Sequence, residues 1–256
     1  MSDSAVIFLL LPGFFFFIFL FIEIGHRLAT RYAAEHSEPV AVFGTTQTAI
    51  FALLGLLVAF TFSGAASRFE ARRTLTVEEA NAIGTAYLRL DLLPAAKQAS
   101  LRDTFRRYTE ARIAVYQALP DVAASDTHAA RATALQSEVW TDTIAALKED
   151  STSSVLVVNA LNTMIDITTT RSIMLKTHIP PIALATLIVL MLVCSLLIGT
   201  GLPRERTFGV VLHTFCFAFV VTVTMYVIFD LDHPRVGLIR LDYADRALLD
   251  VLASMK

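Results

Sequence analysis

Charge is scarce in this chain and unevenly spread. Asp, Glu, Lys and Arg make up 17% of its 256 residues, against about 25% in an ordinary soluble domain. None of them occurs in Ser4–Ile22, Pro39–Ser67, Thr177–Pro203 or Thr207–Phe229. A helix needs about 20 apolar residues to cross the roughly 30 Å hydrocarbon core of a bilayer. Four such stretches, in a chain that is 55% hydrophobic, exclude a secreted or cytosolic globular protein. Cysteine is nearly absent too. Cys194 and Cys216 both lie in apolar stretches, so they supply neither a disulfide framework nor a zinc site. A formal net charge of −2 lacks the basic excess of a nucleic-acid binder. No basic residue precedes the first apolar stretch and no small-x-small cleavage site follows it, so the stretch reads as a retained helix rather than a signal peptide.

Catalytic signatures are missing as well. There is no Gly-x-Ser-x-Gly elbow, no His-Glu-x-x-His and no phosphate-cradling loop, and Gly199-Thr200-Gly201 lacks the strand-to-helix setting of a nucleotide fingerprint. His178, His213 and His233 have no partners at metal-ligand spacing along the chain. An enzyme is not expected.

What remains is a polytopic helical protein. The first span is expected over about Ala5–Ile24, dense in phenylalanine from Phe14 to Phe21, and a polar loop His26–Val40 leads to the second, about Ala41–Ala66. The third starts at Pro180-Pro181, where proline suits a helix's first turn, and ends near Gly199–Gly201. A tight hairpin over Pro203–Arg206 opens the fourth span, Thr207–Phe229. The organisation expected is therefore 1–66, transmembrane helices one and two; 67–178, a helical cytosolic domain; 179–229, helices three and four; and 230–256, a cytosolic tail. The inserted domain carries 13 of the 21 Lys/Arg and 13 of the 23 Asp/Glu. Leu101, Phe105, Tyr108, Arg112, Val115 and Leu119 recur at helical spacing, as do Leu135, Val139, Ile144 and Leu147. Four helices are expected there, the outer two continuing from span two and into span three, since no breaker intervenes before Pro180. Basic residues near the span ends divide as Arg27, Arg31, Arg204 and Arg206 on one side against eight on the other. This bias places the helical domain and both termini in the cytoplasm.

The second span carries the most informative pattern. Thr45, Ala49, Ala52, Leu56, Ala59, Ser63 and Ser67 share one face and are mostly small or polar. Close helix packing explains such a stripe, since small residues let backbones approach in lipid, and periodicity alone favours packing. The alternative is an axial pathway with Leu56 or Phe60 as a constriction that gates by dewetting. Directly after it, Arg68, Arg72 and Arg73 read either as a basic stop against anionic headgroups or as charge at a pore mouth; Glu78 and Glu79, with Asn81, Thr85 and Arg89, continue the same helix and read as mouth charges or, the commoner outcome, as partners in interhelical hydrogen bonds or ion pairs. Glu23 and Arg27, four residues apart, are placed to pair at the membrane edge. Asp230 and Asp232 are a weak candidate for calcium, which wants six to eight oxygens, and a turn pairing Asp232 with Arg235 accounts for them more simply.

Several blocks together resemble a known family. They are Phe60-Thr61-Phe62-Ser63-Gly64-Ala65 with Ser67-Arg68-Phe69-Glu70-Ala71-Arg72-Arg73, then Glu78-Glu79-Ala80-Asn81-Ala82-Ile83-Gly84-Thr85-Ala86-Tyr87-Leu88-Arg89. Glu23-x-Gly25-x-Arg27 and Asp230-Leu231-Asp232-His233-Pro234-Arg235-x-Gly237-Leu238-Ile239-Arg240 complete the set. The sequence resembles the bacterial bestrophin-like domain family. Similarity to bestrophins implies an all-α membrane protein with four transmembrane helices and a helical cytosolic domain between the second and third. It also implies a homo-oligomer, a pentamer, conducting small ions through a pore lined by the second helix, in a bacterial inner membrane. Two departures stand out. Bestrophin pore helices carry a proline at the neck, and Val40–Ser67 has none. The acidic run that holds calcium in gated members shrinks here to Asp230 and Asp232. The expected partners are copies of the chain itself, membrane lipid and small inorganic ions. The rival expectation is a non-conducting membrane sensor or scaffold, with the stripe buried in a monomer or dimer.

Overall fold

In the computed structural model, which describes residues 3–35, 44–119 and 121–255, the protein is built of α-helices, with no strand among the described residues. The helices are α1 (Asp3–Glu35), α2 (Gly44–Leu88), α3 (Ala95–Gln117), α4 (Val122–Glu149), α5 (Ser154–Lys176), α6 (Pro181–Thr200), α7 (Phe208–Asp232) and α8 (Asp242–Ser254). One 3-10 turn, Arg89–Leu92, closes α2. Four helical runs are long and apolar enough to cross a membrane, within α1, α2, α5–α6 and α7. Two details differ from expectation. α1 runs on through the expected polar loop to Glu35, because polar side chains from His26 onward do not break a helix that lacks Pro or Gly there. Residues 36–40 of that loop, and the expected start of the second span at Ala41, lie outside the described residues. The tail is not plain coil either, since it holds α8.

The chain divides into two compact units, Met1–Ser67 with His178–Leu238, and Arg68–Thr177 with Ile239–Lys256. The residues expected as one tail therefore divide between them.

In the first unit α1 packs along α6 and beside α7. Ile18, Ile22 and Ala218 are buried at the centre, ringed by Phe14, Phe15, Phe19 and Phe217. The α1–α6 crossing is closed by two glycines. A Cβ on Gly25 would collide with the Leu196 carbonyl, and one on Gly199 with the Ile22 carbonyl. Backbone touches backbone there, the closest approach that small residues permit in lipid. Gln47 of α2 donates to the Leu197 carbonyl at 3.0 Å.

The second unit has a conventional apolar core, with Ile83, Leu90, Phe105, Tyr108, Val139, Leu161 and Met164 essentially inaccessible. α3 and α4 form a hairpin. Asp121 caps α4 by accepting from the Ala124 N–H at 3.0 Å, which satisfies one of the orphan donors of a helix start. α8 lays Leu248 into this core with Ala247, Val251 and Leu252 against it and is tied to α3, where Arg106 donates to the Met255 carbonyl.

The crossing makes a prediction. Gly199→Ala forces a methyl into the Ile22 carbonyl and costs about 1–3 kcal/mol, the range for overpacking a tight interface. The melting temperature of detergent-solubilised protein falls accordingly, whereas Gly13→Ala, where a Cβ meets nothing within 4 Å, leaves it near the parent value.

Candidate functional site: one face of α2 and its flanking charges

The packed side of α2 is marked by Leu54 and Ala65, both buried, by Gln47 and by Arg72, which donates to the carbonyls of Met174 (3.4 Å) and Thr177 (2.6 Å). At 100° per residue these four positions fall on one line along the helix. The stripe of Thr45, Ala49, Ala52, Leu56, Ala59, Ser63 and Ser67 lies on the opposite side, and every member is exposed. Phe60, at its margin, is 67% exposed and Leu56 52%. The chain's own helices therefore do not cover this face. Among the described residues nothing within one chain packs on it, which leaves packing against another copy or an aqueous path as the two readings of the stripe.

The flanking charges behave differently from one another. Arg73 pairs with Glu70 at 2.9 Å, both exposed. Glu78 is exposed and lines a cleft of about 540 Å³ in which Asn81, Thr85, Asn159 and Thr163 alternate with the apolar Leu156 and Ile167. Two of the expected mouth charges are internal instead. Arg72 is buried, and Glu79 is fully inaccessible, shared between Arg112 (2.6 Å) and Arg171. Tyr116 donates to the other Glu79 oxygen at 3.0 Å, and Arg171 lies over the Tyr116 ring, 3.5 Å from its centroid. Arg171 also reaches Asp245 of α8 at 3.3 Å. One carboxylate thus joins α2, α3 and α5.

Burial alone pushes the Glu79 carboxyl up, but the two guanidiniums outweigh it and hold it below the ordinary value of 4.5. Burial pushes the Tyr108 phenol up to about 12 and raises that of Tyr116 as well, so both stay protonated donors.

Glu23 and Arg27 do pair, at 2.8 Å. Arg206 from the α6–α7 hairpin joins the same carboxylate, which sequence spacing could not show.

At the end of α7, Asp230 and Asp232 are both buried. Asp230 accepts from the Leu238 N–H at 3.0 Å and closes the turn over His233–Gly237. A Cβ on Gly237 would collide with its carboxylate. Asp232 accepts from the Ile179 N–H at 3.0 Å and lies beside two imidazoles rather than a shell of oxygens. Each carboxylate is already engaged by backbone, and calcium requires six to eight oxygen ligands. The residues do not fit calcium. They do bring together His178, Asp232 and His233, which overturns the expectation that these histidines lack metal-ligand partners. Their separation along the chain gave no local signal.

A family model of the bestrophin-like domain matches residues 13–244. The chain belongs to the bestrophin-like domain family. Its fold is similar to crystal structures of variants of a bacterial bestrophin homologue from Klebsiella pneumoniae. One shares 16% identity over 94% of this chain and 100% of that chain, with a TM-score of 0.66. A second shares 14% over 96% and 98%, also at 0.66, and a third 15% over 93% and 98%, at 0.64. No curated protein matches the chain in sequence. The bestrophin-like fold with four membrane-crossing helices is thereby shown.

Removing the shared carboxylate tests the buried cluster. Glu79→Ala leaves two guanidiniums without their acid and costs about 3–5 kcal/mol, read as a large drop in melting temperature, and Glu79→Gln costs less. The pH dependence has a definite sign. A carboxyl held below its ordinary value in the folded state stabilises fully above the unfolded value and loses that contribution as pH falls through the folded one. Stability of the parent protein therefore declines below about pH 4.5, and Glu79→Gln flattens that decline in melting curves taken across the acid range.

Gly237→Ala supplies a local test. It drives a methyl into the Asp230 carboxylate, opens the turn after α7 and lowers the melting temperature more than Gly209→Ala, whose added Cβ meets only the Thr207 hydroxyl at 3.9 Å.

Proposed function

We propose that the protein is a bestrophin-like ion channel, a homo-oligomer of five copies that conducts small ions along an axis lined by α2. One observation carries this reading. The small and polar face of the most hydrophobic part of α2 is exposed on the side opposite the chain's own packing. Hydroxyls and small residues gain nothing from lipid, and a helix face of this composition favours a neighbouring copy or water. Copies arranged about an axis give both, since the stripe then meets water at the centre and the flanks meet the neighbours. Family membership supports the same reading, because bestrophins are ion channels. In this arrangement Leu56 and Phe60 form the apolar constriction, and Thr45, Ser63 and Ser67 supply polar positions along the path. The bias of basic residues at the span ends orients the helical unit and both termini to the cytoplasm of a bacterial inner membrane.

Flux through liposomes reconstituted with the protein tests conduction, with the subunit count taken from the same preparation. A folded, oligomeric protein that passes neither anions nor cations overturns the channel and leaves the scaffold reading. The lining is tested by Ser63→Cys in a Cys216→Ser background. A charged, membrane-impermeant thiol reagent cuts the flux several-fold in that variant. It leaves Phe62→Cys, on the flank, near its starting rate. Equal sensitivity at both positions removes α2's small face from the pathway.

A further inference from the structure

The geometry points to a binding site for a divalent cation of the zinc class, formed by His178 in the lead-in to α6 with Asp232 and His233 at the end of α7. Each of the three offers a ligand atom, and these atoms lie within 4.8 Å of one another. The Asp232 Oδ2 atom is the focus, 3.4 Å from the Nδ1 of His178 and 3.9 Å from the Nδ1 of His233. The main-chain carbonyl of Asp232 adds an oxygen 3.2 Å from the same His178 nitrogen. Two imidazole nitrogens, a carboxylate and a nearby oxygen are a donor set that suits zinc and discriminates against calcium and magnesium, which prefer oxygen alone. Zinc bonds of about 2.0–2.2 Å set ligand atoms roughly 3.3 Å apart, so the two carboxylate-to-nitrogen separations of 3.4 and 3.9 Å need to close by less than about 1 Å.

The surroundings are those of a held site. Asp232 is 2% exposed, and the N–H of Ile179 on its Oδ2 fixes the carboxylate, the kind of outer contact that orients metal ligands. Phe229 stacks on His233 at 4.3 Å, and His233 stacks on His178 at 4.5 Å with the rings 4° from parallel. Imidazole binds a metal through a lone pair in the ring plane, so the half-exposed His178 ring turns out of this stack when both Nδ1 atoms meet one cation. The two imidazoles keep 40% and 32% of their side-chain surface open, which provides an entry path. Without the cation, each Nδ1 donates to a main-chain carbonyl, His178 to Asp232 and His233 to Phe229. On binding, the proton leaves Nδ1 for water while Nε2 takes one from water, so each ring stays neutral and Nδ1 becomes the ligand. The cation then ties the start of α6 to the end of α7 through three side chains.

The experiment uses the full chain in detergent, stripped with a chelator and melted with zinc chloride or calcium chloride added. Zinc is expected to raise the melting temperature and to bind once per chain, and calcium to leave the melting temperature unchanged. His178→Gln and His233→Gln should each weaken zinc binding by at least about 10-fold, with the zinc-free melting temperature near that of the parent. The absence of a zinc-dependent shift overturns the site. So does a shift of undiminished size in both variants, because it then arises from another of the six histidines. If the variants do not fold, zinc K-edge absorption of the parent protein decides. Scattering from two imidazoles at about 2.0–2.1 Å supports the site, and fewer than two refutes it.

Discussion

A bilayer offers no hydrogen-bond partners, and that constraint governs where many polar groups of the membrane-crossing helices sit. Several hydroxyls within the spans turn back onto their own helices, although that of Thr222 is buried without a partner. Thr61, Thr186, Ser195, Thr214 and Thr224 each donate to the carbonyl four residues earlier. The hairpin charges gather on one carboxylate, with Arg27 and Arg206 both on Glu23. Where two helices need close contact without the hydrophobic effect to drive them, glycines let the backbones touch, as Gly25 and Gly199 do. The α2 stripe does not fit this scheme inside a single chain. It is polar or small, it lies in a span, and the chain leaves it open. That mismatch is the observation on which the proposed assembly rests.

The helical unit follows different rules, because its interior can rely on the hydrophobic effect. It nonetheless buries one strong ionic cluster. A carboxylate with two guanidiniums is costly to desolvate, and an apolar replacement of the same shape often stabilises as much. Such a cluster contributes specificity of arrangement rather than simple stability. Glu79 can satisfy Arg112 and Arg171 together only when α2, α3 and α5 keep one register. Arg171 then extends the set to Asp245 on α8, so the terminal helix is held by charge as well as by Leu248. Arg72 adds a second restraint from α2, through the carbonyls that close α5.

Much of this was legible in the sequence, and the residues show why the rest was not. Spans are read from charge-free runs, which need no knowledge of tertiary structure. The continuity of α2 to Leu88 was legible because nothing between Ala66 and Leu88 breaks a helix. Arg112 stood among Leu101, Phe105, Tyr108 and Val115 on an apolar face, and a buried arginine there calls for a buried acid. An interhelical ion pair is the commoner outcome for Glu79 too, but which arginines it meets is not legible, because they lie on other helices. α8 was legible too, since Leu241, Ala244, Leu248, Val251 and Met255 recur at three and four residues, a period overlooked in a segment taken as a tail. The meeting of His178, Asp232 and His233 was not legible. It depends on how α6 and α7 pair, and spacing along the chain carries no trace of it.

The charge assignment also bears on what the proposed channel selects. Three arginines after the stripe suggested an anion-gathering ring. Arg72 is occupied with main-chain carbonyls inside the subunit, and Arg73 is paired with Glu70. Glu79 is likewise internal, so the acidic side of the balance loses a charge as the basic side does. What faces solvent along this part of α2 is then the Glu70–Arg73 pair, 2.9 Å apart, with one further charge of each sign, the half-exposed Arg68 and the exposed Glu78. Exposed opposite charges a few ångströms apart nearly cancel beyond about a Debye length of 8–10 Å. A mouth so composed exerts little long-range preference for either sign. In the proposed channel, discrimination between ions then rests on the apolar constriction assigned to Leu56 and Phe60, where the cost of shedding water rather than the attraction of fixed charge would decide which ion passes.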